Sequence, residues 1–396
     1  MEQPSIVEQY LLLGLRLGRH VDGFVDAYFG PESLAATVAA EPPMAPGALV
    51  AAADGLLRDL DDGVDADRVE AGRRRWLRAQ TAGLRTSASI LAGEPIAYAD
   101  EVERCYGVRP RVRDTDEFAE AHRRLAAVLP GDGPVRDRLV AWRESTAIPV
   151  DRLDGVLRSI AEDFRARTDR QFGLPEGEHV EWELATDQPW SGFNYYAGGL
   201  RSRVAINVDL PVLATSIGHL VAHEAYPGHH TEHTRKEAGL VRARGWMEET
   251  IFCVGTPQCL VAEGLADTAL SVVAGDEADE VVADPLRAAG LDYDAGLATE
   301  VRGATTSLEG VRGNAAWMLH AEGRSTDEVV DFLERWGLLP RNRAEKSIQF
   351  LTSPTWRAYV TCYVEGHPLC RDWVAGDPAR FEVLLTEQML PADLMV

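Results

Sequence analysis

The stretch His223-Glu224-Ala225-Tyr226-Pro227-Gly228-His229-His230 lies in a region where apolar residues recur with the helical period from about residue 213 onward. Five of the ten histidines of the chain fall between residues 219 and 233. An even distribution would place far fewer histidines there, and a solvated helix does not require them. The stretch therefore predicts a helix that carries a metal site.

The pair His223-Glu224 has a specific chemical use in such a site. A neutral imidazole of His223 binds the metal, while the carboxylate of Glu224 lies beside the attacking water and removes its proton. In the usual H-E-x-x-H motif the second histidine follows one helical turn later, so that both imidazoles reach the same tetrahedral ion. The pair predicts a hydrolytic metal site with Glu224 as the general base.

Proline occupies position 227, where the usual motif has its second histidine. Pro227 has no amide hydrogen and disfavours helical angles at Tyr226, and Gly228 gives the backbone further freedom. The helix should therefore kink or bulge after His223. Two extra residues would be absorbed there, and His229 would take the position of the second ligand.

Other histidine pairs remain open on spacing alone. His219 with His223, and His229 with His233, both have the uninterrupted four-residue spacing that suits zinc. His230 directly follows the favoured ligand and is an alternative to it. The sequence favours His223 and His229 without excluding these pairs.

A carboxylate is the expected third ligand, because a catalytic zinc site keeps one coordination position open. Glu263 lies 40 residues after His223 in an apolar helical stretch, where an unpaired carboxylate is costly. Glu248 and Glu249 are the rivals, but their polar surroundings are typical of a solvated face. Asp267, one turn after Glu263, would either orient a ligand or belong to a polar helix face.

The rest of the chain predicts a mainly α fold with a small β-sheet beside the active-site helix. Helical periodicity extends from residue 5 to about 172 and resumes near 213. The helical segments with the clearest pattern are 67–91, 116–129, 152–168, 326–336 and 355–366, and the predicted strands are 180–184, 193–196 and 204–208. We expect a helical scaffold subdomain at 1–175 and a catalytic subdomain at 176–396, joined in one compact unit.

Composition narrows the function classes. The 396-residue chain is 45% hydrophobic and 26% charged, which is typical of a globular protein, and its net charge of −23 disfavours nucleic acids and anionic membranes as partners. The start Met1-Glu2-Gln3-Pro4 has no leader pattern, and no apolar run is long enough to span a membrane, so we expect a cytoplasmic protein. The five cysteines form no C-x-x-C pair, which argues against a thiolate metal site.

The histidine motif resembles the signature H-E-x-x-P-G-H-H of the bacterial family known as domain of unknown function 885. That family also carries an E-G-W-A segment, which matches Glu263-Gly264-Leu265-Ala266 except for leucine in place of tryptophan. The resemblance covers residues 194–366. The family is also distantly similar to the helical oligopeptidases and carboxypeptidase Taq. This similarity implies a helical zinc metallopeptidase.

A third match to this family lies near the C-terminus. The family carries a proline followed by Tyr-x-x-Gly, seen here as Pro354 and then Tyr363-Val364-Glu365-Gly366 with a longer gap. Tyr363, or Tyr359 one turn earlier on the predicted helix, is the expected donor to the oxyanion. The choice between these two tyrosines stays open.

The function predicted from these features is zinc-dependent hydrolysis of amide bonds in short peptides, with a carboxypeptidase type as one form of it. A zinc enzyme for a small non-peptide amide, or a metal-binding protein without activity, are the alternatives, although Glu224 argues against the latter. Expected substrate contacts are His230 and a carboxylate-binding arginine, either Arg357, Arg201 or Arg203. The substrate backbone is expected to pair with an edge strand at 204–208.

Overall fold

The computed structural model describes residues 4–188, 190–354 and 356–395. The first three residues, which bear on the expected lack of a leader, lie outside this part of the chain. Thr355, the first residue of the predicted helix at 355–366, also lies outside it.

The N-terminal part is helical, as its periodicity predicts, but it also contains one short strand. Its elements are α1 (Ile6–Gly18), β1 (Val25–Tyr28), α2 (Glu32–Ala40), α3 (Pro46–Asp61), α4 (Ala71–Leu91), α5 (Tyr98–Tyr106), α6 (Thr115–Val128), α7 (Val135–Ser145) and α8 (Val150–Phe172). Helix α1 begins with a capping box, in which Ser5 and Glu8 satisfy each other's backbone amides. The prediction of an all-helical N-terminal half is therefore wrong at β1.

The central part carries the strands and the histidine motif. Its elements are β2 (His179–Ala185), β3 (Gly192–Gly198), β4 (Arg201–Asn207), α9 (Ala214–Glu224), α10 (His229–Lys236), a π-helical segment Glu237–Arg242, a 3₁₀ turn Met247–Thr250, β5 (Ile251–Cys253) and α11 (Pro257–Ala274). All three predicted strands are present, and their ends lie one to three residues from the predicted ends. A small sheet beside the motif helix is thus confirmed.

The C-terminal part is helical again. Its elements are a 3₁₀ turn Gly275–Glu277, α12 (Ala278–Ala288), α13 (Ala295–Thr305), a 3₁₀ turn Thr306–Glu309, α14 (Gly310–His320), α15 (Thr326–Trp336), α16 (Arg341–Thr352), a π-helical segment Cys362–Gly366, α17 (His367–Val374), α18 (Pro378–Thr386) and α19 (Pro391–Leu394). The predicted helix at 326–336 has these same ends. The predicted helix at 355–366 is instead a set of turns at 356–359 that leads into the π-helical segment.

The three-stranded sheet has the order β2-β4-β3, with β2 parallel and β3 antiparallel to the central strand. Strand β4 is therefore hydrogen-bonded on both sides. The expectation that 204–208 offers an edge to substrate is wrong, because the backbone groups of β4 are used within the sheet. A separate two-stranded ribbon pairs β1 with β5.

The apolar cores do not follow a division at residue 175. One cluster joins α8 to β4, α9 and α11, and another joins α1, α3 and α4 to Ile251 and Cys253 of β5. Side chains from both sides of residue 175 therefore pack in the same apolar clusters. Within the described residues, no helix combines the length and apolarity needed to cross a membrane.

Helix α11 contacts the π-helical segment Cys362–Gly366 through two glycines. A Cβ atom on Gly264 would lie 2.4 Å from the carbonyl oxygen of Gly366, and one on Gly366 would lie 2.6 Å from the carbonyl oxygen of Leu260. Both distances are too short for any side chain. This contact sets the distance between the helix that carries Glu263 and the segment that carries Tyr363.

Replacement of Gly264 by alanine tests this contact. The added methyl group meets a backbone atom that cannot rotate away, so the two elements must separate, and we expect a loss of about 2–3 kcal/mol in the free energy of unfolding. Urea denaturation measures the loss. The matched control is Gly303→Ala in α13, where nothing lies within 4 Å of the new Cβ atom. Equal stability of the two variants would contradict a tight contact at Gly264.

Candidate metal centre

The helix that carries the motif is interrupted after Glu224, as the proline predicts. Helix α9 ends there and α10 begins at His229. The amide of Gly228 donates to the carbonyl oxygen of Ala222 (2.8 Å), and the amide of Thr231 donates to that of Ala225 (3.2 Å). These bonds span six residues where a regular α-helix spans four, so the chain accommodates two extra residues and then continues as helix.

Gly228 is the residue at which the chain returns to the end of α9. A Cβ atom at this position would lie 2.0 Å from the carbonyl oxygen of His223 and 2.4 Å from that of Ala222. The preceding peptide bond, between Tyr226 and Pro227, is cis. Only glycine permits the close approach at position 228.

The interruption brings His223 and His229 together. Their ring centroids are 4.7 Å apart and the rings are perpendicular. Glu263 of α11 reaches the same point: its Oε2 lies 3.4 Å from Nε2 of His223, and its Oε1 lies 3.7 Å from Nε2 of His229. One ligand atom from each of the three side chains lies within 4.8 Å of the others, so this group could hold a metal ion.

Glu263 has the properties of a ligand. The residue is 6% exposed, and its Oε1 accepts a hydrogen bond of 2.6 Å from the hydroxyl of Tyr359. Its Oε2 is buried and has no hydrogen-bond partner among the described residues. Because an unpaired buried carboxylate oxygen is costly, this atom fits a bound cation.

Asp267 orients His223 from the opposite side of the ring. Nδ1 of His223 lies 3.0 Å from Oδ1 of Asp267, and Nε2 of the more exposed His219 lies 3.5 Å from the same oxygen. A carboxylate at Nδ1 keeps the proton there and leaves Nε2 free to bind a metal. Burial alone would raise the pKa of Asp267, but the hydrogen bonds from the two histidines lower it. His219, His223 and Asp267 form a second group of metal-ligand type that shares His223 with the first.

Glu224 lies beside the three candidate ligands and belongs to neither group. The residue is 7% exposed, and its backbone carbonyl accepts a hydrogen bond of 2.6 Å from Nδ2 of Asn194 on β3. Burial raises the pKa of its carboxyl; the charges of His223 and His229 offset part of this rise, and that of Glu263 adds to it. Glu224 is thus a buried carboxyl that belongs to neither metal-ligand group.

His230 turns away from this group, which decides between the two adjacent histidines. The side chain is fully buried, with Nε2 2.8 Å from Oε2 of Glu178 and Nδ1 2.8 Å from Oγ of Ser202. Burial lowers the pKa of its imidazole despite the neighbouring carboxylate. Both ring nitrogens are used inside the protein, so the expected substrate contact at His230 is not supported.

The remaining rivals lie elsewhere. His233 stacks on Tyr196 with 4.8 Å between ring centroids and is part of neither metal-ligand group. Glu248 and Glu249 are buried. The expectation of a solvated face, which rested on their polar surroundings, is therefore wrong. Glu248 makes a bidentate pair with Arg73, with both hydrogen bonds at 2.7 Å, and Gln388 donates to Glu249 (2.8 Å).

The two candidate tyrosines are distinguished by their contacts. Tyr359 is buried and its hydroxyl is bound to Glu263, so it supports a ligand. Tyr363 is partly exposed, its ring lies 5.7 Å from that of Tyr359, and the guanidinium of Arg312 lies 5.9 Å above its ring. Burial raises the pKa of Tyr363, and the charge of Glu263 raises it further, so its hydroxyl stays protonated. Of the two, Tyr359 is thus bound to a candidate ligand, and Tyr363 is the more exposed.

Two of the arginines expected to bind a substrate carboxylate are engaged within the protein. Arg357 makes a bidentate ion pair with the buried carboxylate of Glu101 (3.0 and 2.5 Å). Arg203 pairs with Glu183. Arg201 is exposed at the start of β4. The structure therefore does not support Arg357 as a free carboxylate-binding group.

Asp26 of β1 is a residue that the motifs do not indicate. It is partly exposed, and burial raises the pKa of its carboxyl to about 7, with the charges of Glu263 and Glu224 adding to the rise. Ala27, the next residue, shares an apolar cluster with Ala262, which precedes Glu263 on α11. A lone aspartate in the apolar run Phe24-Val25-Asp26-Ala27-Tyr28 is the sequence signal that could have identified it.

No known protein-family model matches the chain, and no curated protein is detectably similar to it in sequence. Two solved structures, each described as a "putative lipoprotein", are similar in fold. The one from Colwellia psychrerythraea has a TM-score of 0.50 and 14% identity, over 87% of this chain and 65% of the other. The one from Shewanella oneidensis, of unknown function, has a TM-score of 0.49 and 11% identity, over 88% and 71%. This chain thus spans less than two thirds of the first structure, and the likeness concerns the fold alone.

Replacement of Glu178 by alanine tests the anchoring of His230. The change leaves His230 and Arg165 without their partner, and removal of one member of a buried pair costs about 3 kcal/mol of unfolding free energy. The exposed Glu176→Ala is the matched control and should have almost no effect. Urea denaturation at neutral pH compares the two variants.

This destabilisation should depend on pH. Burial alone would raise the pKa of Glu178, but hydrogen bonds from His230 and Tyr226 outweigh it and lower the pKa from 4.5 to about 2. A lowered carboxyl pKa stabilises the folded state above the unfolded value, and this contribution is lost as the pH falls toward 2. The difference between wild type and Glu178→Ala should therefore shrink below pH 4.5. A constant difference would contradict this ion-pair role.

Proposed function

We propose that the protein is a zinc-dependent peptidase that hydrolyses amide bonds in short peptides. The observation that carries the proposal is the convergence of His223, His229 and the unpaired Oε2 of Glu263 on one point. Glu224 lies beside that point without joining the ligand group. A site for metal storage or for structure alone would not require this additional buried carboxylate.

Zinc is the metal that this donor set favours. Two imidazoles and one carboxylate, with a position left open, are the ligands of catalytic zinc sites, whereas magnesium and calcium prefer oxygen ligands alone. When bound, zinc polarises the scissile carbonyl and lowers the pKa of the attacking water. His223, His229 and Glu263 would hold it, and Asp267 would keep His223 in the required tautomer.

Glu224 supplies the proton transfers. Its carboxylate accepts one proton from the attacking water as the water oxygen bonds to the carbonyl carbon. The same proton then passes to the amide nitrogen as the carbon–nitrogen bond breaks, which gives a carboxylic acid and an amine. The proton of the acid passes to the amine, so that the products at neutral pH are a carboxylate and an ammonium group. A raised pKa suits this role, because the group must both accept and release a proton near neutral pH.

Tyr363 supports the proposal as the donor to the oxyanion. Its partly exposed hydroxyl remains protonated, and its segment is held against α11 by the contact between Gly264 and Gly366. Tyr359 acts through Glu263, because its hydroxyl is bound to that carboxylate. The two tyrosines thus have different roles, one toward substrate and one toward a ligand.

Metal content is the first test of the proposal. Purified protein incubated with zinc and then dialysed should retain about one ion per chain, measured by atomic emission, because three protein ligands converge on one point. His223→Ala should lose most of this zinc. The exposed His179→Ala is the control and should retain it. Full zinc occupancy in His223→Ala would refute the assignment of the ligands.

Glu224→Gln separates metal binding from catalysis. The variant keeps the ligands and the approximate shape of the side chain but cannot accept a proton, so it should bind zinc normally and lose about 10²–10⁴-fold in kcat. A mixture of dipeptides to decapeptides, analysed by mass spectrometry with and without chelator, provides the substrates. Exposed Glu181→Gln is the control. Unchanged turnover in Glu224→Gln would place the chemistry elsewhere.

A further inference from the structure

We propose that Asp26 is a specificity-determining residue that binds the protonated amino group of the substrate, so that the enzyme acts on peptides with a free N-terminus. This inference rests on the proposed peptidase function and deepens it. Three observations carry it: the placement of Asp26 in the fold, its lack of a partner among the described residues, and the balance of charge at the metal centre.

Asp26 lies at an irregularity in the ribbon of β1 and β5. Val25 is opposite Cys253 and Ala27 is opposite Phe252, so Asp26 is the extra residue of a β-bulge. Bulges redirect a side chain that regular alternation would point elsewhere, and they are common next to active sites. The bulge therefore changes the direction of the Asp26 side chain from that of regular alternation in an apolar strand.

The ribbon is close to the helix that carries His229. The ring of Phe252 on β5 packs edge-to-face against His233, with 5.8 Å between ring centroids, and His233 follows His229 by one helical turn. Ala27 of β1, the residue after Asp26, lies in the same apolar cluster as Phe252. The ribbon therefore packs beside the helices that carry His229 and Glu263.

Asp26 has no hydrogen bond or ion pair with any residue in the described part of the chain. It is also absent from the groups that could hold a metal ion, which are formed by other side chains. The residue is partly exposed, so a ligand can reach it. Burial, followed by the charges of Glu263 and Glu224, raises the pKa of its carboxyl to about 7, as expected for a carboxylate without a neighbouring cation.

The charge of the centre indicates which kind of group binds Asp26. A bound divalent cation carries two positive charges, whereas Glu263, Glu224 and the Asp267 carboxylate at His223 carry three negative ones. Asp26 then contributes one further negative charge at a partly exposed position. A substrate with a protonated amino group neutralises it, whereas a substrate with a carboxylate at this position would be repelled. A free α-amino group near the scissile bond fits this charge.

Paired peptides test the inference in the zinc-loaded enzyme. A tripeptide with a free N-terminus and its N-acetylated form are compared as substrates of wild type and of Asp26→Asn. We expect the wild type to prefer the free amine, and Asp26→Asn to lose about 10- to 100-fold in kcat/KM for that peptide alone, as expected for loss of a charged hydrogen bond. Exposed Asp22→Asn, four residues earlier, is the matched control.

A binding measurement tests the role of Asp26 without requiring turnover. Leucine hydroxamate and N-acetyl-leucine hydroxamate both chelate zinc, and only the first has a free amine. Calorimetry should show that wild type binds the first about 10- to 100-fold more tightly, and that Asp26→Asn abolishes the difference.

Thermal melting of the metal-free protein at about pH 8 should show Asp26→Asn no less stable than wild type, because the change removes an unpaired charge next to two others.

The outcomes distinguish the two proposals. Equal binding of both hydroxamates by the wild type, or an equal loss of both in Asp26→Asn, would overturn the role of Asp26. A preference for the free amine that depends on Asp26, together with no cleavage of any peptide, would support the amine site and overturn the peptidase function. A lower melting temperature of Asp26→Asn would show a structural role instead.

Discussion

The return of the chain at Gly228 onto the carbonyl oxygens of Ala222 and His223 is the constraint on which the candidate metal centre depends. The amide of Gly228 donates to Ala222 at 2.8 Å, so α10 starts at a fixed distance from the end of α9. A Cβ atom would prevent this approach. The two residues inserted relative to a continuous helix are accommodated in the interruption, and the imidazole of His229 faces that of His223 as a result.

The carboxylates of the centre fall into two kinds. Glu178 and Asp267 are each bonded to histidines, and they fix the orientation of rings. Asp26, and one oxygen of Glu263, have no such partner among the described residues. Since a buried carboxylate oxygen without a partner is costly, Oε2 of Glu263 is better accommodated when a cation is bound. The paired groups position the centre, and the unpaired ones are available to ligands.

Much of this arrangement could be predicted from the sequence, because it is encoded locally. The helical period predicted the helices, alternation predicted the small sheet, and the proline at 227 predicted the interruption that selects His229 over His230. Contacts between distant segments were not predictable in this way. The pairing of β1 with β5 joins residues more than 220 positions apart, so Asp26 was missed, and the burial of Glu248 depends on Arg73 from α4.

The contact between Gly264 and Gly366 also limits how this protein can vary. Each glycine faces a backbone carbonyl, and neither partner can become smaller, so a larger residue at one position cannot be compensated at the other. Gly218 differs, because a Cβ atom there would meet the side chain of Val282 at 2.4 Å, and a smaller residue at 282 would make room. We therefore expect positions 218 and 282 to co-vary among homologous sequences, and positions 264 and 366 each to remain glycine because each faces a different backbone carbonyl.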